Sequence, residues 1–254
     1  MGRGPVPTPA RAFRGAGVRF RAPGKDGGTM PQEGLVDLGF WGAIQRVTPI
    51  YVQGALTTLQ LTAVAIVLGL VVGLVVALMK LSRVGILRRA GSFYTWVIRG
   101  TPLLVQIYII YFGLTQYDVV LDPFPAAVLA LTINSGAYLA EIIRAGIESI
   151  PKGQMEAARS LGMSYGQAMR RVILPQAYRR MIPPMVNEFV TLLKDSSLVS
   201  IISMEELMLY SRQLANATAR GMWFFGYAAF YYLVMTTLFT TLGAWLERKL
   251  KDYE

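Results

Sequence analysis

Apolar residues along this chain gather into long blocks separated by charged or turn-forming stretches, and the blocks have the length of membrane crossings. From Val47 to Met79 there is no charged residue, while a helix needs only about 20 apolar residues to traverse a bilayer. Blocks of this kind predict spans over about 50–79, 94–114, 126–147, 184–204 and 222–246. Ahead of the first, Gly34 to Val47 mixes Leu35, Val36, Leu38, Phe40, Trp41 and Ile44 with Asp37 and Arg46, the make-up of an interfacial helix. Gly69 and Gly73 are four apart and permit close helix packing. In the second block, Arg99 can snorkel to the interface and Pro102 can bend the helix just after it. Pro183-Pro184 opens the fourth span, and Glu205-Glu206 marks an outer loop reaching to Gly221.

Charges between the blocks orient them. Lys80, Arg83, Arg88 and Arg89 follow the first block, Lys152 to Arg180 carries six basic residues, and Glu247-Arg248-Lys249-Leu250-Lys251 closes the chain. By the positive-inside rule all three are cytoplasmic, whereas Thr115 to Pro125, with Asp118 and Asp122 and no Lys or Arg, is outside. A crossing count of five with a cytoplasmic C-terminus puts the N-terminus outside. The tail over 1–34, rich in Gly, Pro and Arg, conflicts with that placement. Either such an extension escapes the rule, or it is not made and Met30 is the start. The tail has no apolar stretch able to form a core or a signal peptide, and reads as a disordered extension or a basic arm for lipid or a partner.

Composition narrows the classes. The chain is 54% hydrophobic and 16% charged, which fits an all-α integral membrane protein. The formal charge of +10 is spread between blocks rather than gathered in one patch, so nucleic acid is not expected as a partner. Absence of cysteine excludes disulfides and thiolate metal sites, and absence of histidine removes the usual general base and metal ligand. No G-x-x-x-x-G-K-[ST] segment occurs, so ATP-driven work would need an ATPase on another chain.

One polar stretch stands between apolar blocks. Met155 to Leu161 is a helix former, Gly162 can end it in the left-handed conformation, Ser164 with Gln167 makes a capping box for a second helix, and Pro175 closes or kinks that helix. Ala157, Ala158 and Leu161 form a small apolar patch suited to a partner's groove, although an ordinary cytoplasmic loop has the same composition. Glu156 either meets a basic residue of a partner or stabilises the start of its helix, and the second role is preferred.

Glu156-Ala157-Ala158, three residues, Gly162, nine residues and Val172-Ile173-Leu174-Pro175 resemble the EAA signature of ABC importer permeases, with Val172 in place of the usual isoleucine. Arg99-Gly100-Thr101-Pro102-Leu103-Leu104-Val105-Gln106, Asn134-Ser135-Gly136-Ala137-Tyr138-Leu139-Ala140-Glu141, Asn187-Glu188-Phe189 and Lys194-Asp195-Ser196-Ser197-Leu198 resemble the polar amino-acid branch of that family. The resemblance covers about Gln45 to the C-terminus. It implies a type I importer permease bundle in the bacterial inner membrane, with a cytoplasmic coupling loop over 148–183. Glu156, Ala157, Ala158, Arg159, Leu161, Gly162 and Met163 would dock on an ATPase dimer that uses ATP and Mg. A second permease, identical or paralogous, and an extracytoplasmic solute-binding protein would complete the assembly. No cofactor or enzymatic activity is expected in this chain.

Ionisable groups inside a span cost about 2.5–3.5 kcal/mol each on insertion scales, so they face a cavity or a partner. Asn134, Tyr138 and Glu141 share one helix face. Asn187, Thr191 and Lys194 form one stripe, and Glu188, Thr191 and Asp195 an overlapping one. They read either as a structural pair, Lys194 with Asp195 or Glu188, or as a cavity for a solute carrying both charges. For a zwitterion, Glu188, Asp195 and Glu141 would take the ammonium, and Asn134, Asn187, Lys194, Ser196 or Ser197 the carboxylate. Gln106 joins this candidate set through its motif, and Glu141 is close enough to Arg144 to be neutralised by it. Two rival readings remain: a gradient-driven transporter or channel using these charges as a relay, and a membrane scaffold whose elbow recruits a soluble protein.

Overall fold

The computed structural model describes residues 38–251, and the expectations for the tail over 1–34 and for Met30 as a start lie outside the described residues. The chain divides into two compact units, residues 1–46 and 47–254. All regular structure among the described residues is helical: α1 (Phe40–Leu81), α2 (Gly85–Gly100), α3 (Leu103–Tyr108), α4 (Pro123–Glu148), α5 (Lys152–Ser160), α6 (Tyr165–Ala168), α7 (Leu174–Asp195), α8 (Leu207–Thr218) and α9 (Gly221–Lys251). Wide π turns over Ile109–Gly113 and Met169–Ile173 extend α3 and α6, and tight 3-10 turns occupy Leu114–Tyr117 and Ser196–Ile202.

α1 is one element of 42 residues, roughly 60 Å at 1.5 Å per residue. That is about twice the hydrocarbon thickness, so the interfacial segment expected up to Val47 and the first span are assigned to one helix from Phe40 onward. Among the described residues, α1, α4 and α9 are long and apolar enough to cross a membrane. A Cβ placed on Gly73 would stand 2.8 Å from Leu139 Cβ and 3.1 Å from Ala140 N, and one on Gly69 would collide with Ser135 Oγ. The two glycines thus let α1 lie directly on α4, as their spacing suggests. Of these three helices α4 is the most enclosed, with Ala126, Ala127, Ala130, Ser135, Ala137 and Ala140 buried. Small residues suit this place because helix association in lipid depends on close packing rather than on escape from water.

The second expected span is not one straight helix. α2 and the helical run Leu103–Tyr117 meet at an angle of 103°. Thr101 and Pro102 are extended between them, with ψ values of 144° and 136°. Proline offers no N–H, and its ring drives the preceding residue out of the helical region, so the chain turns a corner where only a bend was expected.

The fourth expected span, 184–204, also differs. Pro183 and Pro184 sit inside α7, which begins at Leu174 and ends at Asp195, and Ser196–Ile202 continues it as a tight turn. Pro175 does not close the elbow's second helix either. It stands in the first turn of α7, just after the π turn Met169–Ile173. The widened turn makes room for the proline ring, and Gln176 Nε2 donates to the Val172 carbonyl at 2.8 Å.

The stretch read as an outer loop from Glu205 to Gly221 contains α8, whose Leu207, Leu209, Tyr210, Ser211, Leu214 and Ala215 are buried. Glu206 is its N-cap, accepting from Met208 N–H at 2.9 Å and Leu209 N–H at 2.7 Å. A central core joins Leu61 and Ala65 of α1, Leu103 and Ile107 of α3, Ala127 and Leu131 of α4, Leu192 of α7, and Val199 and Ile202.

Candidate functional site

The elbow is built from two cap structures in series. α5 ends in a Schellman motif: Met163 N–H donates to Ala158 O at 3.2 Å and Gly162 N–H to Arg159 O at 3.0 Å. Gly162 has φ +82° and a Cβ there would meet nothing within 4 Å. Glycine is therefore required by the backbone and not by space. Two residues on, Ser164 Oγ accepts from Gln167 N–H at 3.3 Å while Gln167 Oε1 accepts from Ser164 N–H at 2.8 Å. This is the capping box the sequence predicts.

The elbow is rooted in the bundle. Ile150 and Ile173 pack in one core with Ala77, Ile143, Ala177 and Met181, and Met155 and Met169 lie against it. Arg180 donates to the Ser149 carbonyl at 2.6 Å. Above this root Glu156, Ala157, Arg159 and Gly162 are exposed, Met163 is half-buried, and Leu161 is 81% exposed. Two expectations change. Ala158 is 4% exposed, its methyl turned into the elbow, so the available ridge is Ala157 with Leu161. Glu156 lies beyond the first turn of α5, which has no acidic residue. The helix dipole acts over that first turn, so it gives Glu156 no stabilising role.

The membrane-depth polar residues separate into three groups. Gln106 and Asn134 are both buried and face each other, with Asn134 Nδ2 donating to Gln106 Oε1 at 3.0 Å. Gln106 Nε2 in turn donates to Ile98 O at 2.8 Å, to Thr101 O at 3.2 Å and to Thr101 Oγ1 at 3.0 Å. These carbonyls lose helical partners at the Pro102 corner, so the pair splints the break.

Glu141 forms ion pairs with both Lys80 and Arg144, and Arg144 also with Glu148. Lys80 Nζ donates to Thr95 Oγ1 at 2.9 Å as well. The Arg144 neutralisation was legible from spacing; Lys80 was not. Glu141 is thereby already engaged by two cations rather than open to an ammonium group.

The third group surrounds the middle of α7. Glu188 is buried, and the charges acting on it are those of Asp195 and Arg99. Arg99 is exposed, and its guanidinium carbon lies 5.2 Å from the centre of the Tyr138 ring. Asn187, Thr191 and Lys194 are exposed along the neighbouring stripe of α7. Among the described residues Lys194 forms no ion pair within 4 Å. It lines an apolar hollow of about 550 Å³ with Met208, Phe225 and Tyr232. Ser196 is fully buried and donates to its own turn, at 2.8 Å from Leu193 O, which removes it from the candidate donors, while Ser197 also lines the hollow. No cluster among the described residues has the ligands to hold a metal ion.

A helical bundle with Glu188 buried, Glu141 ion-paired and a capped elbow exposed beyond the core has the build of a membrane permease. The chain belongs to the family of binding-protein-dependent transport system inner membrane components, which matches residues 41–252. It is similar to the arginine transport system permease protein ArtQ of Bacillus subtilis (strain 168), 41% identical over 218 residues covering 85% of this chain and 99% of the relative. It is likewise 38% identical over 213 residues to the glutamine transport system permease protein GlnP of Escherichia coli (strain K12), covering 83% of this chain and 97% of that one. The crystal structure of an amino acid ABC transporter with histidines superposes at a TM-score of 0.80 with 43% identity, over 84% of this chain and 99% of the other. The MetNI methionine ABC transporter, at 22% identity and a TM-score of 0.68, shares the fold. The architecture is thus an all-α, type I ABC importer permease bundle.

Proposed function

We propose that the chain is the membrane-spanning subunit of an ATP-driven importer for a polar or charged amino acid, non-catalytic itself. The observation that carries this reading is the elbow: an exposed Ala157–Leu161 ridge rooted through Ile150 and Ile173 in the core that joins α4 and α7. A push on such a knob moves the helices that bear Tyr138, Glu188 and Asp195, which is what alternating access requires. The push would come from an ATPase dimer on the cytoplasmic face, where ATP and Mg are bound. An extracytoplasmic binding protein would deliver the solute. The inner-membrane protein would have its elbow and C-terminus in the cytoplasm and its N-terminus outside.

The exposed stripe Asn187–Thr191–Lys194 supports a second permease copy or a paralogue. A lysine facing lipid at this depth would cost a few kcal/mol. A two-fold partner would cover the stripe and enclose a polar path. Within that path Arg99, Asn187 and Lys194 would meet the solute's carboxylate, with Glu188 and Asp195 meeting its ammonium. Gln106 and Asn134 shape the wall behind.

The test is uptake by inside-loaded proteoliposomes containing the permease and its ATPase. Uptake of radiolabelled arginine, glutamine or cystine should need both internal ATP and external binding protein, and should survive ionophores. Uptake that follows an ion gradient without ATP would refute the importer reading.

A further inference from the structure

α2 carries three different faces on one short helix. Gly91 and Thr95 meet the protein: a Cβ on Gly91 would stand 2.9 Å from Lys80 Cγ, and Thr95 Oγ1 accepts from Lys80 Nζ at 2.9 Å. Ile86, Phe93 and Trp96 point elsewhere and are 76%, 65% and 72% exposed. Arg88 and Ser92, four apart, form a third face; Arg89 shares the side of Phe93 and Trp96 and reaches outward along its stem, Arg83 lies in the turn before the helix, and all three arginines are exposed.

The helix also runs across its neighbours. From Gly91 to Arg99 it advances two turns while crossing the end of α1 at Val76–Lys80 and then α4 between Ile133 and Tyr138, with Tyr94 donating to the Ile133 carbonyl at 2.6 Å. After the 103° corner, α3 follows α4 toward Ala127 instead. Since α3 runs along the bundle, α2 crosses it steeply, with its arginine-bearing end beside the basic end of α1.

Charge identifies what covers it. No Asp or Glu occurs between Val47 and Tyr117. Among the described residues, Arg83, Arg88 and Arg89 join none of the ion pairs. An acidic protein would suit the arginines but not the neighbouring Phe93 and Trp96. A bilayer surface satisfies both in one plane, taking the aromatic face into the acyl boundary and the arginines against headgroups.

We propose that α2 is an in-plane helix that binds anionic phospholipid on the cytoplasmic leaflet, with Arg83, Arg88 and Arg89 holding the headgroup and Ile86, Phe93 and Trp96 seated among acyl chains. The cytoplasmic assignment rests on the orientation proposed above, but lipid selectivity is measurable without ATP or solute, so the two readings fail separately.

The experiment uses the full chain in nanodiscs of equal phosphatidylglycerol and phosphatidylcholine. Lipids retained after gentle release are counted by native mass spectrometry. Wild type should retain phosphatidylglycerol preferentially, and each of Arg83→Gln, Arg88→Gln and Arg89→Gln should lower that preference about fivefold. Arg170→Gln/Arg171→Gln on the elbow should leave it unchanged. Equal retention of the two lipids by wild type, or undiminished preference in the triple variant, overturns the proposal. Should the triple variant misfold, hydrogen exchange on wild type decides. Protection of Gly85–Gly100 that rises with phosphatidylglycerol content supports it, whereas protection that ignores lipid charge and appears only with the ATPase or a second copy refutes it.

Discussion

The hydroxyl of Tyr232 donates to Oε2 of Glu206 across 3.2 Å, tying α9 to the capped end of α8. Glu206 has no exposed surface, and Thr58 of α1 also reaches it at 3.5 Å. One carboxylate therefore joins three helices while capping two N–H groups. Burial pushes its pKa up to about 7 from 4.5, outweighing those hydrogen bonds. Between these values the folded state holds a proton that the unfolded state has released, so raising pH through this window lowers stability. The thermal midpoint of the purified protein should fall by a few degrees from pH 4.5 to pH 7.5, and the fall should flatten in Glu206→Gln. Glu206→Ala, which leaves buried donors unpaired, should cost about 2–4 kcal/mol at pH 4.5 and less at pH 7.5.

Gln106 and Asn134 act as a splint at the Pro102 corner, and the pair should be coupled. Gln106→Ala frees two carbonyls and strips Asn134 of its acceptor, costing about 2–3 kcal/mol. Asn134→Ala should cost less, and the double variant less than the sum, because each single change strands the same partner. Denaturation midpoints in detergent measure this cycle. If solute contact were their main role, transport would fall while stability stayed level.

Membrane class, the elbow's caps and the acidic and basic membrane positions were all visible in the sequence. Gly162 and the Ser164–Gln167 box are local signals, and local signals survive without tertiary knowledge. Glu206 was not legible as a keystone: beside Glu205 it reads as a solvated pair, and only the folding back of α8 buries it. Lys80 at the end of an apolar block reads as a topology marker, and its pairing with Glu141 depends on α1 and α4 lying in contact at Gly73. Ala158 and Ala157 are chemically identical, so only the rotation of α5 separates the packed methyl from the exposed one. The Pro102 corner was foreseen as a bend, but its size depends on Gln106 rescuing the freed carbonyls.

The Lys80–Glu141 ion pair holds three helices, since Lys80 also donates to Thr95. Both side chains are largely buried, 12% and 17% exposed, so removing Lys80 leaves Glu141 with Arg144 as its one cation and Thr95 without its donor. Lys80→Met should destabilise by about 3 kcal/mol. Adding Glu141→Gln should recover part of the loss, because Arg144 keeps Glu148 as its partner. Thermal unfolding of the single and double variants checks the order, and equal stability of all forms would remove the clamp from the account.

The elbow makes the sharpest demand on a single residue. Gly162 sits at φ +82° in open space, so a β-branched side chain meets no neighbour but strains the backbone by roughly 1–2 kcal/mol. Gly162→Val should insert and fold normally while α5 loses its Schellman end and Leu161 moves. Leu161→Asp keeps the backbone and places a charge on the exposed ridge. Both should reduce copurification with the ATPase and ATP-dependent uptake at least tenfold, whereas Ala158→Ser, facing inward, should reduce stability before coupling. Normal copurification and transport by both Gly162→Val and Leu161→Asp would show that force enters the bundle somewhere other than this ridge.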